Sequence, residues 1–259
     1  MRWIAGTLGL TVFLSTPAMG QRYLDEYTSS FLAAMAGRSQ AALSAARQAA
    51  ERVGSRGAPR GESVTIAIYT TMVTFGRWDD LLEEPLPPGE LRFATAMAYY
   101  ARGVAFAAKG RWPEAAASLD TVAAASRAFH DGAEKAVLEI ATHALAGEIA
   151  LRRGEPDVAV GHFDAAVRFE DGITDRHPPT WYYPVRQSLG KALLAADRPA
   201  EAEQTYREDL ARFPENGWSL FGLVQALEQQ GKTNEAAAAR ERYEAAWRSA
   251  DVRLTASRF

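Results

Sequence analysis

Apolar and polar residues recur along this chain in a unit made of one turn followed by the start of an amphipathic helix. After each turn, the apolar positions follow the three- to four-residue spacing of a helix that packs on one face. The unit occurs six times, and successive turn residues are 39, 34, 44, 43 and 34 positions apart. A period of this size predicts repeated helix pairs with insertions between some of them. The turn residues are Gly37, Gly76, Gly110, Gly154, Asp197 and Gly231.

Small residues stand on both sides of these turns. Five positions after the turn, five of the six units carry alanine, and seven positions before it three consecutive units carry Gly103, Gly147 and Gly190. Because small side chains let two antiparallel helices approach closely, the pattern predicts five to six helical hairpins. Larger residues four positions beyond the alanine, such as Phe163 and Tyr206, are expected to fill the remaining space.

The regular pattern is interrupted at three places. Pro85, Pro87 and Pro88 predict that the second helix of the second repeat ends after about two turns, because proline removes a donor and clashes with the preceding turn. Insertions at 129–134 and 171–184 delay the fourth and fifth repeats. The second insertion contains prolines that exclude helix at its centre, and it is rich in aromatic residues.

The beginning of the chain differs from the repeats. Arg2 is followed by an apolar or small stretch over residues 3–14, and then by small residues at Ala18 and Gly20. This order is typical of an export signal and predicts cleavage after Gly20. We therefore expect an exported protein, either periplasmic or secreted.

Two domains follow from that assignment: an export signal over residues 1–20 and a helical-repeat domain over residues 21–259. The apolar stretch is too short to cross the roughly 30 Å of a bilayer core, so we expect no stable membrane span after cleavage. An uncleaved anchor is the alternative. The chain has no cysteine, which excludes a lipoprotein anchor, disulfides and thiolate chemistry.

The composition of the chain excludes two further classes of protein, disordered and nucleic-acid-binding. With 47% hydrophobic residues, the chain has enough apolar surface to fold, so disorder is not expected over most of its length. The formal net charge is −3, and there is no block of five or more like charges. Nucleic acid is therefore not an expected partner, because phosphate binding needs a local excess of lysine and arginine.

The repeat pattern resembles the tetratricopeptide-repeat superfamily over nearly the whole chain after residue 20. This resemblance implies an all-α fold, a right-handed α-solenoid of five to six antiparallel helical hairpins, and a scaffolding or binding role. Four segments look more narrowly like the C-terminal half of larger bacterial tetratricopeptide-repeat proteins, which carry a further helical half containing histidines. These segments are Phe75-Gly-Arg-Trp-Asp, Tyr100-Ala-Arg-Gly, Trp181-Tyr-Tyr-Pro-Val-Arg-Gln-Ser-Leu-Gly and Asn216-Gly-Trp-Ser-Leu-Phe-Gly-Leu.

Residue types that carry chemistry are few. Of four histidines, His143 and His162 fall in the two helices of one hairpin and could face each other. A metal site would also need carboxylates converging on them, such as Glu148 or Asp164, and no His-Glu-x-x-His or comparable spacing is present. No nucleophile elbow or phosphate-binding glycine loop is present. We therefore predict no catalytic residue, metal or cofactor, and no enzymatic activity.

The predicted binding surface is the concave side, which the first helices of stacked hairpins line. Aromatic side chains together with charged ones anchor extended peptides through apolar area and charge-assisted hydrogen bonds. The alternative is that these aromatics are core residues, as is common at helix-packing positions. The predicted partner-binding residues are Tyr100, Glu148, Trp181, Tyr182, Tyr183, Arg186 and Lys191.

These observations favour a non-enzymatic interaction or scaffold module of the periplasm or cell envelope, which holds an extended segment of another protein in its concave groove. One alternative is an assembly scaffold that uses the outer helices or the end of the sixth repeat, at Tyr243, Trp247 and Val252. Another is a small-ligand binder or enzyme with a pocket near Trp181 to Arg186. The sequence leaves the oligomeric state and the identity of the partner open.

Overall fold

The computed structural model describes residues 27–54, 61–173 and 181–259, apart from the side chains of 52–54 and 61–64. The predicted export signal and His177 lie outside the described residues. Within the described chain, twelve helices pair in sequence order into six hairpins. They are α1 (described over 27–35) with α2 (Ser39–Gly54), α3 (Gly61–Thr74) with α4 (Trp78–Glu83), α5 (Arg92–Ala108) with α6 (Trp112–Ala128), α7 (Gly132–Arg152) with α8 (Pro156–Asp171), α9 (Arg186–Ala195) with α10 (Pro199–Arg212), and α11 (Gly217–Gln229) with α12 (Thr233–Ala246).

The described residues contain no strand, and each hairpin packs on the next, which confirms the predicted all-α solenoid of helical hairpins. The first helices α3, α5, α7, α9 and α11 contact one another in turn, while the second helices contact the following first helix. The first helices therefore form the inner layer and the second helices the outer layer. No helix in this part of the chain has the length and apolar character needed to cross a bilayer.

All six predicted turn residues adopt positive φ, from 56° at Asp197 to 78° at Gly154. A side chain is disfavoured in this left-handed region, which accounts for glycine at five of the six turns. Asp197 is the exception, and aspartate is one of the residues that tolerate this conformation. The predicted positions of the hairpin turns are therefore confirmed.

The prolines after α4 and the insertion at 129–134 affect the helices differently. Helix α4 spans only Trp78–Glu83, as the following prolines predict. The insertion at 129–134 instead forms a short loop and contributes residues to the start of α7, which begins at Gly132. That stretch lacks proline, and an ion pair between Lys135 and Glu139 at 2.5 Å supports its helix.

Small residues allow close packing inside the hairpins, as predicted. A Cβ built on Gly147 would lie 2.9 Å from the Phe163 ring, so only glycine lets that ring cross the inner helix. The Tyr206 ring packs in the same way against Gly190. The alanines that follow the turns are buried, with Ala42, Ala115, Ala159 and Ala202 fully inaccessible.

The stack of hairpins closes on itself. Trp218 Nε1, in α11, donates to the main-chain oxygen of Ala34 in α1 at 3.0 Å. Trp247, which follows α12, packs against Gly37 at the first turn and Gly217 at the start of α11. A second hydrophobic cluster joins the first hairpin to the last, and it includes Phe75 beside the residues already named. The two ends of the solenoid therefore share one core.

Candidate binding site

Residues 251–259, which we call the return segment, follow the last hairpin without forming helix and lie across the inner layer. Asp251 begins the segment and caps α2, since its carboxylate accepts from Ser39 N at 2.7 Å and Gln40 N at 3.0 Å. Burial alone would raise the pKa of Asp251, but these main-chain donors outweigh it and lower that pKa. The segment is thus anchored at the first hairpin.

Side chains hold the main chain of the return segment at three positions. Trp247 Nε1 donates to the oxygen of Val252 at 2.9 Å, and Gln225 Nε2 donates to the oxygen of Thr255 at 3.3 Å. Lys191 Nζ, on α9, donates to the oxygen of Phe259 at 3.3 Å. Contacts to main-chain oxygens bind an extended peptide whatever its side chains are.

Ser257 is the most deeply held side chain of the segment, at 0% exposure. Its hydroxyl donates to the main-chain oxygen of Gln187 at 2.9 Å and lies 2.7 Å from the Tyr206 hydroxyl, which therefore donates to it. Tyr206 belongs to the outer helix α10, yet it reaches the inner face because Gly190 and Gly222 leave a gap that its ring fills.

Arg258 and Phe259 rest on aromatic side chains of the inner layer. The Arg258 guanidinium lies 3.9 Å from the centre of the Tyr183 ring and 5.5 Å from that of Trp218, within the range of cation–π attraction. The Phe259 ring meets Trp218 edge to face at 5.7 Å. Leu254 is buried in the cluster that joins the first and last hairpins.

Four of the predicted site residues form one aromatic cluster beneath this segment. Tyr100 and Trp181 lie 5.4 Å apart, and the Tyr100 and Tyr182 hydroxyls are 2.9 Å apart. Tyr100, Trp181 and Tyr183 are buried at 1%, 2% and 4% exposure, and Tyr182 is half-buried. Burial raises the pKa of Tyr183 to about 12 and the pKa of Tyr100 and Tyr182 well above the usual value, so all three hydroxyls stay neutral.

Arg186 points away from the return segment. Its guanidinium makes a bidentate pair with Asp171 at 2.8 Å for both bonds, and Nε lies 3.4 Å from Glu208. The hydrogen bonds to Asp171, with the nearby acidic charges, raise the pKa of Arg186 although burial opposes them. This pair joins the end of α8 to the start of α9 across the second insertion, so Arg186 holds the hairpins together.

Glu148 and Lys191 lie on the inner side near the segment. Glu148 is buried, and its carboxylate is 3.4 Å from Arg152 Nε. Burial lowers the pKa of Lys191, an effect that Glu148 opposes and that Arg152 and Arg258 reinforce. The predicted site residues are therefore divided: Tyr183 and Lys191 contact the return segment, Tyr182 lies near it, and Tyr100 and Trp181 underlie them.

Some buried polar side-chain atoms near the return segment have no hydrogen-bond partner among the residues that the structure describes. They include both amide atoms of Gln187 and Nη1 of Arg258. Gln187 is fully buried and beside Ser257. Polar atoms of this kind are the groups that a small polar ligand or a bound peptide would satisfy.

The paired histidines are the other cluster considered from the sequence. His143 and His162 do face each other, with Nδ1 atoms 3.4 Å apart, and His143 stacks on Phe169. Burial, with the neighbouring His143, lowers the pKa of His162. Among the described residues, no three histidine, cysteine or acidic side chains are grouped so as to hold a metal ion.

Sequence reasoning missed several residues of the site. Tyr206 was assigned to hairpin packing alone, and Gln187 and the return segment were not assigned to the groove. The Tyr206 hydroxyl, free to bond beyond the hairpin, was the available signal. The residues after α12 carry no periodic pattern that indicates where they fold back.

Comparison with known proteins supports the repeat architecture. The Tetratricopeptide repeat family model matches residues 188–251, from α9 to the beginning of the return segment. The comparison with curated proteins gives no match.

Proposed function

We propose that this chain, whose residues 188–251 match the Tetratricopeptide repeat family model, is a non-enzymatic interaction module whose concave face holds an extended segment of a partner protein. The observation that carries this proposal is the return segment, nine residues of non-helical chain held across the inner layer by side chains of α9, α10 and α11. The inner face therefore has the shape and the donors for a peptide.

A partner segment binds this face by replacing the return segment. The contacts that become available are the side-chain donors of Gln225 and Lys191, the hydroxyl of Tyr206, and the faces of Tyr183 and Trp218. Because the return segment is tethered, its effective concentration is on the order of millimolar, and a partner must overcome that competition.

The protein acts outside the cytoplasm, in the periplasm or cell envelope. Support comes from the sequence alone, in the positive, apolar and small-residue order of the first twenty positions. Cell fractionation and mass spectrometry of the purified protein test this assignment. A mature chain that begins at Gln21 supports it, and a cytoplasmic chain that begins at Met1 contradicts it.

The groove is tested with peptides of random sequence displayed on phage and selected against the full chain. The bait carries Ser257→Glu, which cannot fit the fully buried site of Ser257 and so frees the inner face. A matched bait adds Lys191→Met, which keeps the side-chain length but removes the donor to the peptide main chain. Selected peptides that bind the first bait about tenfold better than the second support the groove. Equal binding, or no selected peptide, contradicts it.

A second candidate, a small polar ligand near Trp181 to Arg186, is favoured by the buried side-chain amide of Gln187, neither of whose polar atoms has a hydrogen-bond partner within the described residues. In this case the ligand stabilises the closed chain without displacing the return segment. Native mass spectrometry of the protein purified from its own host is the discriminating measurement. A retained small molecule that is lost in Gln187→Leu favours this candidate, and its absence counts against it.

A further inference from the structure

The return segment makes two kinds of contact. Its main-chain contacts would accept any sequence, whereas its side-chain contacts select particular residues. Ser257 fits a closed site with two hydrogen bonds, Arg258 covers the Tyr183 ring, and Phe259 meets Trp218. Leu254, three residues before the serine, is buried at the junction of the first and last hairpins. Between them, Thr255 is exposed and Ala256 is only partly covered.

We infer that the return segment is an internal mimic of the partner. On this inference, which rests on the proposed function, the groove selects an extended protein segment with a leucine-sized apolar residue, two unselected positions, a small hydroxyl residue, an arginine and an aromatic residue. The return segment competes for the same contacts and keeps the groove closed until such a partner binds.

The spacing of buried and exposed side chains sets the selectivity of each position. The serine site is closed by Gln187 and Tyr206, so a larger side chain does not fit. The arginine site offers the aromatic faces of Tyr183 and Trp218, which attract a cation. Lysine makes a poorer match there, because only a planar guanidinium stacks on a ring.

Competition by the return segment follows from its tether. A segment attached a few residues after α12 has an effective concentration far above that of a free peptide at micromolar levels. The full wild-type chain is therefore expected to bind a free peptide of this pattern weakly. A chain whose own segment no longer fits is expected to bind it strongly.

The test uses the full chain and a labelled synthetic peptide, Asp-Val-Arg-Leu-Thr-Ala-Ser-Arg-Phe, which has the sequence of the return segment and blocked ends. Three chains are compared: wild type, Ser257→Glu, and Thr255→Glu, which places the same charge at an exposed position of the same segment. By fluorescence polarisation, Ser257→Glu is expected to bind the peptide at least about tenfold more tightly than the other two.

Specificity is measured with a second peptide in which the arginine is replaced by alanine. It is expected to bind the Ser257→Glu chain about tenfold more weakly than the original, because the stacking on Tyr183 is lost. If the Ser257→Glu chain loses its helical circular dichroism, Arg258→Ala takes its place, since that change removes a contact without adding bulk. A helical, opened chain that does not bind, or that binds both peptides equally, overturns the inference.

The random-peptide selection separates this inference from the broader proposal. Selected peptides that share the apolar, hydroxyl, arginine and aromatic pattern support both. Peptides that bind the groove with an unrelated pattern support the peptide groove and overturn the mimic. No selected peptide together with no binding of the synthetic peptide overturns both.

Discussion

Tyr206 connects the outer helices to the inner face through a gap left by two glycines. Its ring packs against Gly190 in α9 and Gly222 in α11, and its hydroxyl reaches Ser257. A methyl group at either glycine would overlap the ring, so the side chain that closes the hairpin also fixes the position of the return segment. One residue thus serves both packing and the candidate site.

Gly190→Ala is expected to destabilise the protein by about 1–3 kcal/mol, because the added methyl group overpacks a fully buried contact. Gly161→Ala is the matched control, since a Cβ at that helical position meets no atom within 4 Å. It is expected to stabilise the chain by about 0.5–1 kcal/mol through the lower entropy of its unfolded state. Urea unfolding measures both changes, and equal effects would contradict the role given to the gap.

Glu170 links stability to pH. Burial raises its pKa to about 8, although the Val185 amide, which donates to its carboxylate at 3.0 Å, opposes the shift. The folded chain therefore keeps a proton that the unfolded chain releases above its ordinary pKa of 4.5. The stabilising contribution is complete below pH 4.5 and is lost as the pH rises to about 8.

Glu170→Gln is expected to remove this pH dependence. The difference in the free energy of unfolding between variant and wild type should grow in favour of the variant from pH 4.5 to 8, by up to about 5 kcal/mol, and then level off. Urea unfolding at several pH values measures it. A difference that stays constant over this range would show that the carboxyl group titrates normally.

Between elements, polar contacts set how consecutive hairpins join. The Arg186 pair with Asp171 ties α8 to α9 where an insertion separates them, and Arg212 donates to the same carboxylate at 2.9 Å. The exposed pair of Arg168 with Asp164 lies within α8 and joins no elements. An ion pair therefore contributes to the joining of hairpins only where it connects two elements, whatever the total number of ion pairs.

Arg186→Ala is expected to cost about 1–2 kcal/mol, since the pair is bidentate and the arginine mostly covered, although Asp171 is exposed enough for solvent to screen it. Arg168→Ala is expected to change stability by less than about 0.5 kcal/mol. Thermal unfolding followed by circular dichroism compares the two. If Arg186 were instead a partner contact with no structural role, its replacement would leave stability unchanged.

At the scale of the whole molecule, closure of the solenoid defines the candidate site. The first and last hairpins share the cluster around Trp218 and Trp247, and the return segment crosses from one to the other. The residues suggested for end-to-end contact between copies, Tyr243, Trp247 and Val252, pack against this cluster within one chain.

Trp247→Ala is expected to open the closed solenoid and to cost about 2–4 kcal/mol, because it removes the ring that fills the space beside Gly37 and Gly217. Small-angle X-ray scattering should show a larger radius of gyration. Trp112→Ala is the control, since that tryptophan is 37% exposed at the start of α6 and should change neither quantity appreciably. An unchanged radius in a destabilised Trp247→Ala chain would mean that other contacts hold the ends together.

The sequence by itself determined the local architecture. The turn at Asp197, the short α4 and the glycine that accepts Phe163 follow from rules that act within a hairpin, where interacting residues are close in the chain. That α7 begins inside the insertion at 129–134 did not follow from the sequence, because an insertion without proline is compatible with either loop or helix. The placement of the aromatic residues on the inner side was predictable from the order of helices, but whether they were core or contact was not.

Only the tertiary structure decided that the solenoid closes and that its groove is occupied by its own chain. The bond from Trp218 to Ala34 joins residues 184 positions apart, and the pair of Tyr206 with Ser257 joins an outer helix to an irregular segment. Such contacts do not appear in the hydrophobic periodicity of the sequence, because they depend on the rotation of each hairpin relative to the next, added over the whole stack. Helical periodicity records which face of each element is buried, whereas the curvature of the whole stack determines what finally covers it.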